Sequence, residues 1–576
     1  MKKTIRNRAA TLCVMALMAS TTSVWAAASY SAPDTAIVYG DYSTAVGEGA
    51  WAGVYDVYGF PMDPLGTTSY NTAYGAFARA GVVTPDPYEQ PYWSIGNTAI
   101  GVNSVAGGND INGATAIGDT AKAIGTDSTA VGRFSLANAT NSTAIGSNSA
   151  ATGENSTAVG HGSQANATDS TAIGEASKAT GVSSTAVGQR AEATMQNSTA
   201  LGQLARASGT DSTALGQDAD ATAASATAIG KAANASGTSS TAVGRSAEAT
   251  GSDSTALGSF AEATSGSSTA LGNYSQATGL AGTAVGKSAQ AKGSNSTALG
   301  VSAYAKGDYS TALGVSAYAE GANSTALGLS ATTYGLNSTA LGQGARTGGE
   351  YVLVDPDNEE SDLKLVNVAT NATAVGQNAY AAKDYSTAIG QSAQATGLKS
   401  TALGQNAQAI HDNSVALGAN SITDRPNSVS VGSPGAERQI TNVADGTAMT
   451  DAVNIRQLYR TGALSAALSG LAPIPYDPSV KTQFSFGFGG YHNQQALAVG
   501  MNHYFNDSVL MNFGAAFSGG ENMFKGGITW KLGKSSAKKY DANTSQELAA
   551  LKNQLQQQDA EMKKMKEQLA ALMKKN

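Results

Sequence analysis

Histidine is the side chain best suited to general acid–base catalysis and zinc binding near neutral pH, and this chain carries four. None has an aspartate and a serine nearby that stand apart from the repetitive Ser- and Thr-rich background, and no pair has the spacing of zinc ligands. We therefore predict no catalytic residue, no metal site and no cofactor, and we interpret the chain as not an enzyme. The four are His161, His411, His492 and His503.

Two repeated tripeptides also carry a chemical signature. Gly-x-Asp turns occur in calcium-binding solenoids, but those are built on nonapeptide repeats with denser aspartate. One acid per repeat supplies too few of the oxygen ligands that Ca²⁺ requires. Asn-Ser-Thr, as at Asn141, matches a glycosylation sequon but recurs because the turn and the strand recur. We assign no site to either pattern.

The composition excludes several classes of protein. Glycine is abundant, at 67 of 576 residues, yet it does not recur at every third position, which excludes collagen. The single cysteine excludes a disulfide or zinc scaffold. A net charge of −7, with 13% charged residues, argues against nucleic acid as a partner, because nucleic-acid binding calls for basic clusters.

The first 26 residues are typical of a signal peptide. They combine a basic start, an apolar run from Ala9 to Ser20 and small residues up to Ala26. The run is too short to span a bilayer. Cys13 lies in this segment, so the exported chain is expected to carry no thiol and to be still more acidic.

A repeat of fourteen residues dominates the middle of the chain. The motif Ser-Thr-Ala-(Val/Ile/Leu)-Gly recurs without a slip from Gly118 to Gly342 and again from Gly376 to Gly432, with earlier copies ending at Gly47 and Gly101. Each unit reads as two very short strands and two bends, and we expect its aliphatic residue to be buried when units stack. About twenty rungs spaced by about 4.8 Å predict a rod about 100 Å long.

Two segments interrupt this period. Twenty extra residues between Gly342 and Gly376 predict a protruding hairpin near 347–370. The region 27–96 is rich in aromatic residues and prolines, and it reads either as a cap for the exposed end of the solenoid or as a ligand-contact surface. The candidate ligand contacts are Trp51, Tyr55, Tyr58, Tyr88 and Trp93.

Apolar residues alternate with small or polar ones in four runs between Phe484 and Leu532, a pattern typical of transmembrane β-strands. Four strands cannot close a barrel, and lipid does not tolerate an open sheet edge. Several copies must therefore share one barrel, with two giving eight strands and three giving twelve. A small-residue helix at 462–470 could fill the lumen, and three such helices suit twelve strands better than two suit eight.

The even strand number places both ends of the sheet in the periplasm. The repeats can lie outside only if the helix threads the pore, which predicts a self-exporting surface protein.

Three motifs resemble those of the trimeric autotransporter adhesins of the YadA-like class. They are the NSTALG repeats, the neck NSVSVGSPGAERQITNVADGTAMTDAVNIRQL at 427–458, and an anchor ending in GGITWKLG at 526–533. The resemblance implies an all-β chain with helical segments: a trimeric left-handed parallel β-roll head, a short neck and a twelve-stranded outer-membrane barrel with four strands per chain. It also implies a homotrimer that adheres to host matrix, host cells or other bacteria. The family's neck pattern maps onto 438–443 and 451–458, as structural residues.

The chain departs from this family in two ways. It has almost no coiled-coil stalk, since the neck ends near Leu458, so we expect the head to lie close to the membrane. It also continues past the last strand into a tail at 534–576. Seven apolar residues there follow a 3,4 spacing, which predicts a coiled coil. These seven residues are called here the tail seam, and Gln558 is the one seam position that is polar. The seven are Leu548, Leu551, Leu555, Met562, Met565, Leu569 and Leu572.

The tail admits two roles in the periplasm. It could be a clasp that holds the trimer together, or it could bind anionic peptidoglycan, since it carries nine lysines and only five acidic residues.

The whole chain then divides into a signal peptide at 1–26, an aromatic-rich head region or cap at 27–96, a repeat head at 97–432, a neck at 433–460, a pore helix and barrel anchor at 461–533, and the tail. We expect an outer-membrane protein in contact with lipid, with its head on the surface of a double-membraned bacterium. The alternative function is a passive surface coat or spacer without a receptor.

Overall fold

The computed structural model describes residues 30–32, 37–38, 43–52, 70–81, 94–108, 110–353, 363–366, 368–533 and 543–574. The predicted signal peptide at 1–26 lies outside these residues. The chain divides into two compact units, Met1–Arg438 and Gln439–Asn576.

The first unit is a stack of rungs, and each rung contributes one strand to each of two parallel sheets. The first sheet contains Tyr30–Ala32, Thr44–Val46, Thr72–Tyr74, Thr98–Ile100 and Thr115–Ile117, then a strand every fourteen residues from Thr129–Val131 to Thr339–Leu341 and from Thr373–Val375 to Val415–Leu417, and finally Val429–Ser430. The second contains Ile37–Val38, Trp51–Ala52, Arg79–Ala80, Val105–Ala106 and Lys122–Ala123, then a strand every fourteen residues from Leu136–Ala137 to Arg346–Thr347 and from Tyr380–Ala381 to Gln408–Ala409. The register is uniform, with Thr185 opposite Thr199 and Ala186 opposite Ala200.

The core of this head is a column of alanine and serine. In one rung Ser184, Ala186, Ala191 and Ala193 are all fully buried. The aliphatic residue points the other way, and Leu201 in the next rung is 43% exposed. The expectation that the aliphatic residue is buried is therefore wrong. A regular rung of five strand residues and two tight turns encloses little volume, which favours small side chains such as alanine and serine inside.

Glycine ends each three-residue strand because no other residue fits there. Gly188 has φ +137°, and a Cβ built on it would lie 2.3 Å from the carbonyl oxygen of Gly202 in the next rung. The bends that follow use left-handed residues with side chains, such as Asn141 and Asn148 at φ 56° and 57°. Asparagine tolerates this region better than most residues.

The aromatic-rich region contributes rungs of the same roll. Thr44–Val46 pairs with Thr72–Tyr74, which pairs with Thr98–Ile100. The rung at Asn71-Thr-Ala-Tyr-Gly75 was not predicted, because tyrosine replaces the aliphatic residue of the motif and asparagine replaces the serine. Among the twenty extra residues, Glu350–Leu353 pairs antiparallel with Leu363–Val366.

The second unit packs one helix against a four-stranded antiparallel sheet. The helix, Ile455–Ser469, is called here the anchor helix. The anchor strands are Thr482–Tyr491, Gln494–Asn506, Val509–Ser518 and Glu521–Trp530, paired in chain order. A further helix, Asn543–Met573, follows and is called the tail helix. Among the residues described, no helix combines the length and apolarity needed to cross a membrane.

Candidate functional site

One outward face of the head is an apolar ladder. In the regular first-sheet strands, such as Thr255–Leu257, the aliphatic residue and the threonine two positions before it face away from the alanine core. Leu257 lies opposite Leu271 in the register, and the two are 42% and 39% exposed. A long run of half-exposed aliphatic side chains along one face is typical of an interaction surface.

The outward face of the second sheet is a charged ladder instead. Lys178 Nζ lies 2.9 Å from Glu192 Oε1 in the next rung, and Arg206 Nε lies 3.7 Å from Asp220 Oδ1. Each of these side chains is at least a third exposed, so each pair adds only about 0–1 kcal/mol to stability. The polar composition makes this the face of the roll that suits contact with water.

Aromatic rings stack along the second sheet farther down the head. Tyr304 and Tyr318 lie in adjacent strands with ring centroids 5.1 Å apart and planes within 8°. Lys292 Nζ lies 5.1 Å from the Tyr304 ring, and the Arg346 guanidinium lies 5.4 Å from the Tyr380 ring. Rings and cations cover the ring faces here, and the Tyr318 hydroxyl donates to Glu320 Oε2 at 2.9 Å. Sequence reasoning missed this stripe, although tyrosine at the fourteen-residue spacing was its signal.

Trp51 is the predicted ligand contact that lies within the described residues. It occupies a second-sheet strand between Ile37 and Arg79 and is half-buried. It is therefore part of the roll itself. Tyr55, Tyr58, Tyr88 and Trp93 lie outside the described residues, so their grouping around Trp51 stays a prediction.

Two buried asparagines tie together the irregular rungs near Trp51. Asn97 donates from its backbone N–H and from Nδ2 to Asn71 Oδ1, at 3.0 and 3.1 Å. Asn71 Nδ2 donates in turn to the Ser94 carbonyl, and the Ala114 N–H donates to Asn97 Oδ1. Both asparagines stand where regular rungs carry a buried serine. The longer side chains reach the backbone of Ser94 and Ala114, a role that sequence reasoning missed.

Arg438 closes the other end of the head. Its Nη1 donates to Ser421 Oγ at 2.9 Å and to the Val431 carbonyl at 2.8 Å, and its Nη2 donates to the Ala419 carbonyl. A guanidinium offers five donors, which suits it to a solenoid end where carbonyls have no next rung. This neck arginine is structural, as the resemblance implied.

In the second unit, glycines let the anchor helix lie directly on the sheet. A Cβ on Gly487 would lie 2.1 Å from the Ala467 carbonyl oxygen, and one on Gly489 would lie 2.3 Å from that of Ala463. At the end of the helix, Lys525 Nζ donates to the Leu468 carbonyl at 2.5 Å, a favourable place for a cation. The opposite face of the sheet is apolar and exposed, with Phe486 at 67% and Phe524 at 74%.

The start of the anchor helix is fixed by a cluster of charged side chains. Asn454 caps the helix, its Oδ1 accepting from the Gln457 N–H at 3.0 Å. Asp445 Oδ1 lies 2.6 Å from Arg456 Nη2, and Asp445 Oδ2 lies 2.7 Å from Arg460 Nη1. Hydrogen bonds from Arg456 and then Asn454 lower the pKa of Asp445 to about 2. This cluster was not predicted, although Asp445 and both arginines lie in or beside the neck motif.

The histidines lie in separate elements. His161 is exposed in a bend of the head, and the His411 ring contacts Thr423 Oγ1 at 3.3 Å. His492 stacks on Tyr459 at 4.6 Å, and His503 Nδ1 lies 2.9 Å from Thr482 Oγ1. Over the described parts of the chain, His, Cys, Asp and Glu form no group of three or more that could hold a metal ion.

Family models match three parts of the chain. The YadA head domain repeat matches segments between 112 and 421, the coiled stalk of trimeric autotransporter adhesin matches 439–471, and the YadA-like membrane anchor domain matches 475–532. The stalk match spans the anchor helix, which is only fifteen residues long.

Curated relatives match a short stretch. The immunoglobulin-binding proteins EibA, EibC and EibD of Escherichia coli are each 38% identical to this chain over 79 residues. That stretch is 14% of this chain and 20%, 15% and 15% of theirs, so the chain spans a fifth or less of the length of these relatives.

A solved structure, the collagen-binding domain of Yersinia adhesin YadA, is 29% identical over 37% of this chain and 83% of that chain, with a TM-score of 0.19. Together the head, stalk and anchor matches assign the family. The chain belongs to the YadA-like trimeric autotransporter adhesins, surface proteins anchored in the outer membrane.

Proposed function

We propose that three copies of this chain build one outer-membrane barrel, export their own heads through it, and attach the cell to host matrix, host cells or other bacteria. The observation that carries the proposal is the two-faced anchor sheet. Its outer face is apolar, its inner face is covered by the anchor helix, and within the described residues its first and fourth strands each pair on one side only. Three such sheets, joined edge to edge, satisfy every strand in a closed twelve-stranded cylinder.

The course of the anchor helix supports export of the head. Near its start, Tyr459 stacks on His492, in the turn between the first two strands, and Arg460 lies 3.9 Å from Glu521, at the turn between the last two. Past its end, the Ile474 N–H donates to Gln483 Oε1, at the opposite end of the strands. The helix therefore runs along the inner face of the sheet, from one end of the strands to the other. The chain before it leaves at the end opposite to the termini of the sheet, which supports the proposal of an exported head and a periplasmic tail.

The apolar ladder of the head supports a trimer along its length. A single roll exposes one aliphatic side chain per rung on that face, and three rolls that turn it toward a common axis would bury it. The charged and aromatic faces of the second sheet then point outward in three copies. Repetition of one surface on a trimer favours binding through many weak contacts.

The ligand class is the finer part of the proposal. The similarity to immunoglobulin-binding proteins makes host immunoglobulin a ligand to test first, beside collagen, fibronectin and whole bacteria. A passive surface coat is the second candidate, favoured by the internally satisfied ladders of the second sheet, in which charges and rings already pair with one another.

One experiment separates the two. Cells that display the full chain are compared with cells that display residues 439–576 behind the same signal peptide, for saturable binding of labelled immunoglobulin, collagen and fibronectin and for aggregation with other bacteria. An adhesin gives head-dependent binding of at least one of them. Equal signals from both cell types would favour the coat.

A further inference from the structure

The tail helix carries an apolar stripe that no other described part of the chain covers. The tail seam runs the length of the 31-residue helix, and its side chains are 53% to 68% exposed. The stripe is narrow, two positions in every seven, whereas a helix that lies on a membrane has a wide apolar face. A two-in-seven stripe fits the same stripe of another helix.

We infer that the tail helices of three chains form a parallel, in-register coiled coil, and that this coil joins the three chains independently of the barrel. The inference rests on the proposed homotrimer. The seam residues occupy the first and fourth positions of consecutive heptads, beginning with Leu548 and Leu551. The fifth and seventh positions flank the seam and contact the neighbouring helix.

The flanking charges select a parallel arrangement. In parallel helices a seventh-position residue meets the fifth-position residue of the next heptad on its neighbour. Glu547 then meets Lys552, and Glu561 meets Lys566, so both seventh-position glutamates face a lysine. The third acidic residue beside the seam, Asp559, meets the neutral Gln554. An antiparallel arrangement centred on the same helices would place Lys552 opposite Lys566 and would place Glu561 opposite its own copy. Opposite charges therefore pair in one direction and like charges in the other.

The polar gap selects the register. Gln558 is a seam position, so a parallel in-register trimer places three Gln558 side chains in one layer, where their amides can bond one another. A slip of one heptad would bury each glutamine against Leu551 or Met565 without a partner. A single polar residue in a coiled-coil core commonly fixes register at some cost in stability.

Cysteine cross-linking of the full-length protein in outer membranes tests this arrangement, because Cys13 is the single native cysteine and lies in the predicted signal peptide. Leu548→Cys and Leu572→Cys place a thiol at either end of the seam. Asn553→Cys, on the same helix but away from the seam, is the matched control, and the unsubstituted chain is the blank. After mild oxidation and full denaturation, we expect Leu548→Cys and Leu572→Cys each to give a disulfide-linked pair in most of the protein. Asn553→Cys and the blank should give at least tenfold less.

Three other outcomes would overturn the inference. Linkage only when both Leu548→Cys and Leu572→Cys are present in one chain would indicate antiparallel helices. Equal linkage at 548 and 553 would indicate random collision. Absence of linkage, with tail-dependent retention on purified peptidoglycan, would indicate a cell-wall grip. The unsubstituted chain is also run unheated in mild detergent: loss of the trimer there would contradict the proposed function, whereas a trimer without linkage contradicts the tail arrangement alone.

Charge exchange supplies a second measurement. Glu547→Lys with Glu561→Lys should reduce the linked fraction of the Leu548→Cys chain severalfold, by facing lysine with lysine. Adding Lys552→Glu and Lys566→Glu should restore it. If the chain with all four charge substitutions does not regain linkage, the assigned pairs are wrong.

Discussion

Arg460 donates from Nη1 to Oδ2 of Asp445 at 2.7 Å, across fifteen residues of chain that include the start of the anchor helix. This bond, with the one from Arg456, ties the segment before the helix to the helix itself. Arg460 is also largely buried, and the nearby Glu521 is the first residue of the fourth anchor strand. The contact therefore holds both the helix and the sheet at the exit of the proposed pore.

Asp445→Asn should loosen this end of the helix, because a neutral amide cannot pair with two guanidinium groups. We expect amide hydrogens of residues 455–462 to exchange severalfold faster in the detergent-solubilised protein, while those of the anchor strands keep their rates. Asp477→Asn, just before the first anchor strand and at the opposite end of the strands, is the control. Equal effects of both changes would indicate a general loss of stability.

The same contact should respond to acid. The pKa of Asp445 is lowered in the folded protein to about 2, so the contact contributes fully above the ordinary pKa of 3.8 and is lost as pH falls through about 2. The protection factors of the 455–462 amides, which correct for the intrinsic pH dependence of exchange, should therefore stay constant from neutral pH down to about pH 4 and fall below it. In Asp445→Asn the part of that acid response that belongs to this carboxyl should be missing.

Two glycines of one rung should behave differently when replaced by alanine. Gly160 has φ +134°, and a Cβ there would lie 2.4 Å from the Gly174 carbonyl oxygen, whereas Gly162 has φ +66° and open space around it. Gly160→Ala should cost about 1–3 kcal/mol in backbone strain alone. Gly162→Ala should cost about 1 kcal/mol, since Ala176 takes that conformation one rung later. Limited proteolysis of the head should show cleavage near residue 160 only in the first variant.

Charges placed on the apolar ladder should separate the heads. Leu257→Asp with Leu271→Asp puts six carboxylates on the proposed axis of a trimer, while the alanine core of each roll is untouched. Chemical cross-linking of heads on intact cells should fall severalfold, with rung proteolysis unchanged. Gln276→Asp on the second sheet is the control, and an equal loss in that variant would place the axis elsewhere.

Trp51→Ala should test the aromatic region. Since Trp51 is half-buried within a rung, we expect a loss of about 1–3 kcal/mol in the stability of the first rungs, seen as earlier proteolysis of the amino-terminal end of the head. Binding by the rest of the head should persist. Lost adhesion with unchanged proteolysis would instead make Trp51 a ligand contact.

Most of the fold could be predicted because its signals are local and repeated. A regular glycine period predicts the rungs, and an alternation such as Phe484, Phe486 and Phe488 predicts a strand with one apolar face. The direction in which Val187 and Leu201 point could not be predicted. Alternation says that threonine and the aliphatic residue share a face, but not which face is interior, and the decisive quantity is the small volume enclosed by a rung.

The tertiary contacts of single polar residues were also beyond prediction. Asn71 and Asn97 look like ordinary turn residues until the rungs are stacked, and Asp445 meets Arg460 only after the segment between them has folded back. Such contacts depend on distances between elements, which neither spacing nor composition encodes. The candidate ligand contacts Tyr55, Tyr58, Tyr88 and Trp93 remain predictions because they lie outside the described residues.

The alanine column has a consequence for how such a head can change over generations. Each regular rung has the same small interior and forms the same backbone hydrogen bonds with its neighbours. A whole fourteen-residue block can therefore be duplicated or deleted without any compensating substitution elsewhere. Unequal recombination within the coding repeats would then lengthen or shorten the adhesin in steps of about 4.8 Å, making its reach a heritable quantity separate from its anchorage.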